Sequence, residues 1–221
     1  MRRIVFGGSS LSHDDQQSVL DALDASEVVL APTDTVYGLL ARADDPTALA
    51  RVYGLKQRPT SLPMAVFSRW DFIDNLVDVD TPCLKVRGWK DFMTTLGACS
   101  LTLVLPPLPD LVLPEPYFQR GRPVGIRPTV TPLLQQLCRT SPLTATSANR
   151  HRGNPARSMM GVDVMITNGC TFVLDGGPTP RGRPSVAVDL CGSAPRIIRS
   201  GEDEAAVLAF FAKSDTAPAP Q

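Results

Sequence analysis

The block Pro32-Thr33-Asp34-Thr35-Val36-Tyr37-Gly38-Leu39 places two hydroxyls and a carboxylate directly behind the apolar run Glu27-Val28-Val29-Leu30-Ala31. At the carboxyl end of a buried strand, where open sheets bind ligands, Thr33 and Thr35 would hold a polar ligand. In a plain turn the same hydroxyls would bond their own backbone. The residues by themselves allow either. Lys56 and Arg58 stand two apart before Pro59. If Pro59 enforces an extended exit, both cations point the same way and suit a di- or triphosphate; otherwise they complement the dipole of a helix C-terminus. The segment Thr144-Ala145-Thr146-Ser147-Ala148-Asn149 is a small polar turn after a strand. Its hydroxyls, amide and backbone donors either cradle a phosphate or simply make the turn.

The charge pattern is asymmetric. Over 221 residues, 22 basic side chains balance 22 acidic ones, yet 18 of the 22 are arginine. Between Arg120 and Arg199 lie eleven arginines against three acids, Asp163, Asp175 and Asp189. Arginine keeps its charge in a cleft, and its planar fork matches carboxylate and phosphate. That stretch therefore reads as a cleft for an anionic ligand such as a nucleotide, as a nucleic-acid surface, or as a set of solvated surface arginines.

Other chemistries have no residues to carry them. The five cysteines (Cys83, Cys99, Cys138, Cys170, Cys191) are odd in number and far apart, which argues against a disulfide framework and a zinc ribbon. His13 and His151 are the only histidines, with no H-E-x-x-H, and His151 reads as a surface loop residue. The G-x-S-x-G, Walker and G-x-G-x-x-G signatures are absent. No apolar run approaches the ~20 residues of a membrane span, and the basic start Met1-Arg2-Arg3 leads into too short an apolar stretch for a secretory signal. A cytoplasmic protein with no membrane partner is the expectation.

The elements that must position these groups follow from pattern. A hydrophobic content of 43% at this length predicts one domain, over 1–213, with a disordered tail at 214–221. Ser12 with Asp15 resembles a capping box opening a helix to about Ala25, and Asp45-Pro46 opens another through about Leu55. Strands are predicted at Ile4–Gly8, 27–31, 64–67, 101–105, 124–126, 143–146, 164–166, 172–174, 186–190 and 196–199. Helices are predicted near 71–76, 82–86, 131–139 and 202–213. The irregular alternation predicts an open α/β or α+β sheet rather than a barrel.

Together the blocks resemble the YrdC-like family of L-threonylcarbamoyl-AMP synthases. The Pro-Thr-Asp/Glu-Thr-x-Tyr-Gly-Leu block matches at Pro32–Leu39, and Lys-x-Arg-Pro with its following proline block at Lys56–Met64. Gly125-Ile126-Arg127, Ser147-Ala148-Asn149, Asp175-Gly176-Gly177, Ser185 with Val188-Asp189, and Arg199-Ser200-Gly201 match in type and order. The chain departs from the family at three places. Leu96-Gly97-Ala98-Cys99-Ser100 precedes Leu101-Thr102 where the family carries Trp-Pro-Gly-Pro. Arg150-His151-Arg152-Gly153 follows the Ser-Ala-Asn turn in place of Ser-Gly, and Val186 follows Ser185 where threonine is common.

The resemblance implies a YrdC-like open twisted mixed sheet with flanking helices and a basic concave cleft. It implies synthesis of threonylcarbamoyl-AMP and pyrophosphate from L-threonine, bicarbonate or CO2, and ATP, for modification of adenosine in tRNA. Thr33, Thr35 and Arg127 would hold threonine, with Arg127 on its carboxylate. Lys56 and Arg58 would take the ATP phosphates and the departing pyrophosphate. Ser147 and Asn149 would meet the phosphate and ribose, and Ser185 and Arg199 would complete the nucleotide pocket. Tyr37 lines the site or, as preferred, packs beneath it. Mg2+ would arrive with ATP, with no protein metal site and no tightly bound cofactor. RNA, tRNA and a downstream threonylcarbamoyl transferase are the implied partners. The rivals are a non-catalytic RNA-binding paralogue and an enzyme making a different carbamoyl-adenylate.

Overall fold

The computed structural model describes residues 1–7, 10–85 and 87–212; the tail predicted at 214–221 lies outside them. Ten short strands form one sheet: β1 (Arg2–Val5), β2 (Val29–Pro32), β3 (Tyr37–Leu40), β4 (Ala65–Ser68), β5 (Leu101–Leu105), β6 (Val124–Pro128), β7 (Leu143–Ser147), β8 (Phe172–Asp175), β9 (Val186–Asp189) and β10 (Arg196–Arg199). Their spatial order is β1-β8-β2-β3-β7-β4-β6-β5-β9-β10. Parallel pairs (β1/β8, β8/β2, β4/β6, β5/β9) are interleaved with antiparallel ones, so the sheet is mixed and open, as anticipated.

The helices are α1 (His13–Asp24), α2 (Pro46–Lys56), α3 (Pro82–Lys85), α4 (Trp89–Leu96), α5 (Pro132–Leu137), α6 (Val164–Asn168) and α7 (Glu204–Ala212). Side-chain caps set the starts of α1, α2, α5 and α6. Ser12 accepts from the Asp15 N–H, and Asp45 accepts from Thr47 and Ala48 with Pro46 in the first turn. Such caps are worth ~1 kcal/mol each. The strand expected at 164–166 is instead helix α6, because Asp163 caps it and Gly169 ends it; of its first three residues only Ile166 is buried. Two elements were not foreseen. All four residues of β3 are buried, so this interior strand shows no in–out alternation. Helix α4 buries only Phe92 and Leu96, four apart, and has no side-chain cap.

The period-two geometry of strands sorts the sheet into two faces. On one, Leu101, Leu103 and Leu105 of β5 join Val66, Ile126, Val186 and Val188 in a core covered by α3, α4 and α7. Helices α1 and α5 bury the outer face of β1, β2 and β8, while α2 and α6 close a third cluster over β2 and β3. The opposite residues of the central strands, Ala65, Thr102, Gly125, Arg127, Ala145 and Ala187, line an open cleft. Its floor is paved with small side chains for a reason. A Cβ at Gly125 would stand 3.2 Å from that of Ala65 and narrow the cleft.

Candidate active site

The cleft encloses about 940 Å3, the size of a small-molecule site. Among the described residues, five arginines line it, Arg58, Arg122, Arg127, Arg157 and Arg199, and no carboxylate does. With low-dielectric walls, such a surface attracts anions strongly. Of the residues singled out in the sequence, Thr35, Arg58, Arg127, Ser147, Ser185 and Arg199 line this one space, although they come from six separated stretches of chain. Thr33, Lys56 and Asn149 are not part of its lining; Thr33 and Lys56 are buried and Asn149 is half-buried.

The threonine block divides its labour. Thr33 makes the turn: its hydroxyl donates to the Val36 carbonyl at 2.6 Å and accepts from the N–H groups of Thr35 and Val36. Thr35 faces the cleft, and its Oγ1 receives a 2.6 Å bond from Arg127 Nη2. The same Nη2 donates to Asp34 Oδ1 at 2.6 Å, and the guanidinium lies over the Phe67 ring. Burial pulls the Arg127 guanidinium below its ordinary range, and Asp34 opposes that pull. Arg127 Nη1 makes no hydrogen bond among the described residues, which leaves a donor for a ligand. Tyr37 packs beneath, fully buried, with its hydroxyl on the Gly177 carbonyl at 2.8 Å. Burial and the neighbouring Asp175 push that phenol up to about 12, so it stays protonated.

Lys56 does not reach into the cleft. Its ammonium donates to the main-chain carbonyls of Ser147 and Asn149, clamping the Ser-Ala-Asn turn from below. Burial, assisted by the charge of Arg58, pulls the lysine down to about 8. Since an unfolded lysine titrates near 10.5, the folded chain releases this proton first, and the fold gains stability as pH rises from about 8 towards 10.5. Loss of that charge also lowers the positive field behind the turn. Pyrophosphate affinity is therefore expected to fall between pH 7 and 9, with the fall flattened in Lys56→Met. Calorimetry at several pH values checks this, and an undiminished slope in the variant contradicts it.

Arg58 lines the cleft with its guanidinium braced on the carbonyls of Leu62 and Pro63, at 3.0 and 2.9 Å. The Asn149 amide nitrogen bonds the carbonyls of Arg150 and Gly153, while its Oδ1 is buried without a partner among the described residues. At the far rim, Arg199 holds Ser185 twice, from Nε to the carbonyl and from Nη2 to the hydroxyl at 2.8 Å. Thr102 completes that group through the Ser185 hydroxyl. Burial and the charge of Arg127 lower the Arg199 pKa, which places two guanidinium groups in one field awaiting an anion.

Gly201 permits the Arg199 contact, because a Cβ there would lie 2.2 Å from the Val186 nitrogen. Gly201→Ala is expected to cost about 1–3 kcal/mol, as overpacking does, and to displace Arg199 from Ser185. A thermal melt paired with nucleotide titration checks both effects.

Sequence reasoning missed Asp34 as a partner of Arg127, and it missed Thr179, whose buried hydroxyl bonds the Thr35 carbonyl at 2.8 Å. Asp34 lies inside the Pro32–Leu39 block, but its pairing with Arg127, 93 positions away, has no local signal. Thr179 has none either. His151 is a half-exposed loop residue, as expected. Among the described residues, no group of three His, Cys, Asp or Glu side chains is placed to hold a metal ion, and no helix is long and apolar enough to cross a membrane.

The Sua5/YciO/YrdC family, described as "Telomere recombination", matches residues 21–201. A threonylcarbamoyl-AMP synthase of Bacillus subtilis is 33% identical over 196 residues, spanning 86% of this chain and 55% of that protein. One from Stutzerimonas stutzeri is 31% identical over 84% of this chain and 94% of its own length. Among solved structures, Pyrococcus abyssi Sua5 complexed with L-threonine superposes with a TM-score of 0.76 at 22% identity, over 91% of this chain and 58% of that one. Escherichia coli YciO superposes with a TM-score of 0.77 at 17% identity, over 92% and 98%. At those identities the superpositions speak for the fold.

Proposed function

Since the chain belongs to the Sua5/YciO/YrdC family, we propose that its cleft joins L-threonine, bicarbonate or CO2, and ATP into threonylcarbamoyl-adenylate and pyrophosphate. The observation that carries this reading is the lining of the cleft, five arginines with no carboxylate among the described residues. All three substrates are anionic or carry a carboxylate, and charge moves onto the departing pyrophosphate as the reaction proceeds.

The chemistry asks for placement more than for a nucleophile or a metal-bound water. The amine of threonine adds to CO2, forming a C–N bond and releasing a proton. A carbamate oxygen then attacks the α-phosphorus as its bond to the β-phosphate oxygen breaks. Orientation and charge stabilisation supply the rate in such displacements. Arg127, with Nη1 free, takes the threonine carboxylate beside the Thr35 hydroxyl. Thr33 holds the turn on which Thr35 stands. Arg58 and Arg199 take the ATP phosphates with the hydroxyls of Ser147 and Ser185. Lys56 acts through the turn it clamps, and Asn149 shapes that turn. Mg2+ enters as part of the substrate, held by phosphate oxygens and water.

The product is a mixed carbamic–phosphoric anhydride, a reactive acyl-type donor. A transferase that moves the threonylcarbamoyl group to adenosine in tRNA is the consuming reaction. No observation favours the non-catalytic RNA-binding alternative over this reading. Pyrophosphate release, measured with each substrate omitted in turn, tests it. Release is expected only when threonine, bicarbonate and Mg-ATP are all present, and equal release without threonine would end the proposal.

A further inference from the structure

Ser100, directly before β5, is a buried junction. All three of its polar groups are engaged in different directions. Its hydroxyl donates to Asp34 Oδ2, the oxygen of that carboxylate not used by Arg127. Its N–H donates to Asp203 Oδ2 at 2.7 Å. Its carbonyl accepts from the Val186 N–H at 3.1 Å, next to Ser185. Asp203 in turn pairs with Arg181, whose second arm reaches the Ala98 carbonyl. One residue thus touches the counter-ion of the cleft arginine, the residue before α7, and the strand that begins at the nucleotide rim.

The consequence falls on Arg127. With Asp34 Oδ2 occupied by Ser100, the ion pair is one-pronged, through Oδ1 and Nη2, and Nη1 stays available. An unoccupied Oδ2 at this buried position would need a donor, and a guanidinium meets a free carboxylate best with two parallel bonds. The nearest candidate is Arg127 itself. From this geometry we infer that Ser100 is a positioning residue: by capping Asp34 it keeps Arg127 turned so that one arm faces the ligand carboxylate. The inference rests on the proposed threonine role of Arg127.

Ser100→Ala, with Ser100→Thr as the rescue that retains a hydroxyl, tests it by two readouts. The first needs no ligand. The Arg127 Nε–H is enclosed without a partner among the described residues, so its NMR resonance reports the setting of the guanidinium. It is expected to shift and exchange faster in Ser100→Ala and to return in Ser100→Thr. Asp203→Asn, which leaves the hydroxyl in place, should largely preserve it. The second readout is calorimetry. Threonine affinity is expected to fall about tenfold in Ser100→Ala, the size of one charged hydrogen bond, with ATP affinity changed less than twofold. Ser100→Cys, with a weak donor of similar shape, gives the same direction should the alanine variant fail to fold. An unmoved Arg127 resonance in a folded variant, or equal losses for threonine and ATP, would overturn the inference. A wild-type chain that binds no threonine would instead remove the functional reading, and the resonance would still decide the positioning role.

Discussion

Arg127→Ala is expected to remove threonine binding and to destabilise the fold in the same stroke. A charge-assisted hydrogen bond in a cleft is worth about 1.5–3 kcal/mol, which predicts a roughly ten- to hundredfold loss of threonine affinity. ATP, whose proposed contacts are mainly Arg58 and the Ser185–Arg199 rim, should lose far less. The stability effect comes from Asp34, which is 3% exposed and, among the described residues, pairs through Oδ1 with Arg127 alone. Leaving a buried charge without its partner costs about 3–5 kcal/mol. The two effects separate in the double variant with Asp34→Asn, whose neutral amide needs no counter-ion. Stability should largely return there while threonine binding does not. Calorimetry beside a thermal melt reads both, and wild-type threonine affinity in folded Arg127→Ala would refute the role given to this arginine.

Lys56→Ala and Arg58→Ala are expected to part company, although the two residues stand two apart. The sequence alone suggests that both serve a ligand and that losing either leaves the fold intact. For Arg58 the proposal is kept unchanged, because its guanidinium lines the cleft and, among the described residues, braces the exposed loop carbonyls of Leu62 and Pro63. Its loss should lower kcat more than it raises KM, because its contact with the departing pyrophosphate strengthens as charge develops. Lys56 differs because its ammonium is buried on two carbonyls. The Ser147 carbonyl would keep the Asn149 N–H as a donor, but the Asn149 carbonyl would lose its bond from Lys56, at a cost of about 1–3 kcal/mol. Lys56→Ala should therefore melt well below the wild type and lose turnover through a loosened Ser147-Ala148-Asn149 turn. A thermal melt indistinguishable from wild type would return Lys56 to a purely ligand-binding role.

That contrast shows where local pattern stops informing. Asp45-Pro46 marks a helix start unambiguously, since the cap and the missing N–H of proline both favour that geometry. Val164-Met165-Ile166 reads as a strand because three apolar residues in a row lack a helical period, while the Asp163 cap that decides the matter is one residue upstream. The interior strand Tyr37–Leu40 hides because burial on both faces erases alternation. At the site, the ordered motifs carry the residue types and six of them do meet in one cleft. The tertiary partners were not legible. Asp34 with Arg127 spans 93 positions, Ser100 with Asp203 spans 103, and Thr179 with Thr35 spans 144. No window along the chain contains such pairs; only the strand order brings them together.

The central claim is that carbon from bicarbonate ends up bonded to threonine and to the phosphate of AMP in a single product. Mass spectrometry of a reaction run with 13C-bicarbonate, L-threonine and Mg-ATP tests it most directly. The account predicts an adenylate containing threonine and one labelled carbon, formed together with one equivalent of pyrophosphate and lost in Arg127→Ala. AMP or ADP without a labelled threonine adduct, at a rate indifferent to threonine, would contradict it.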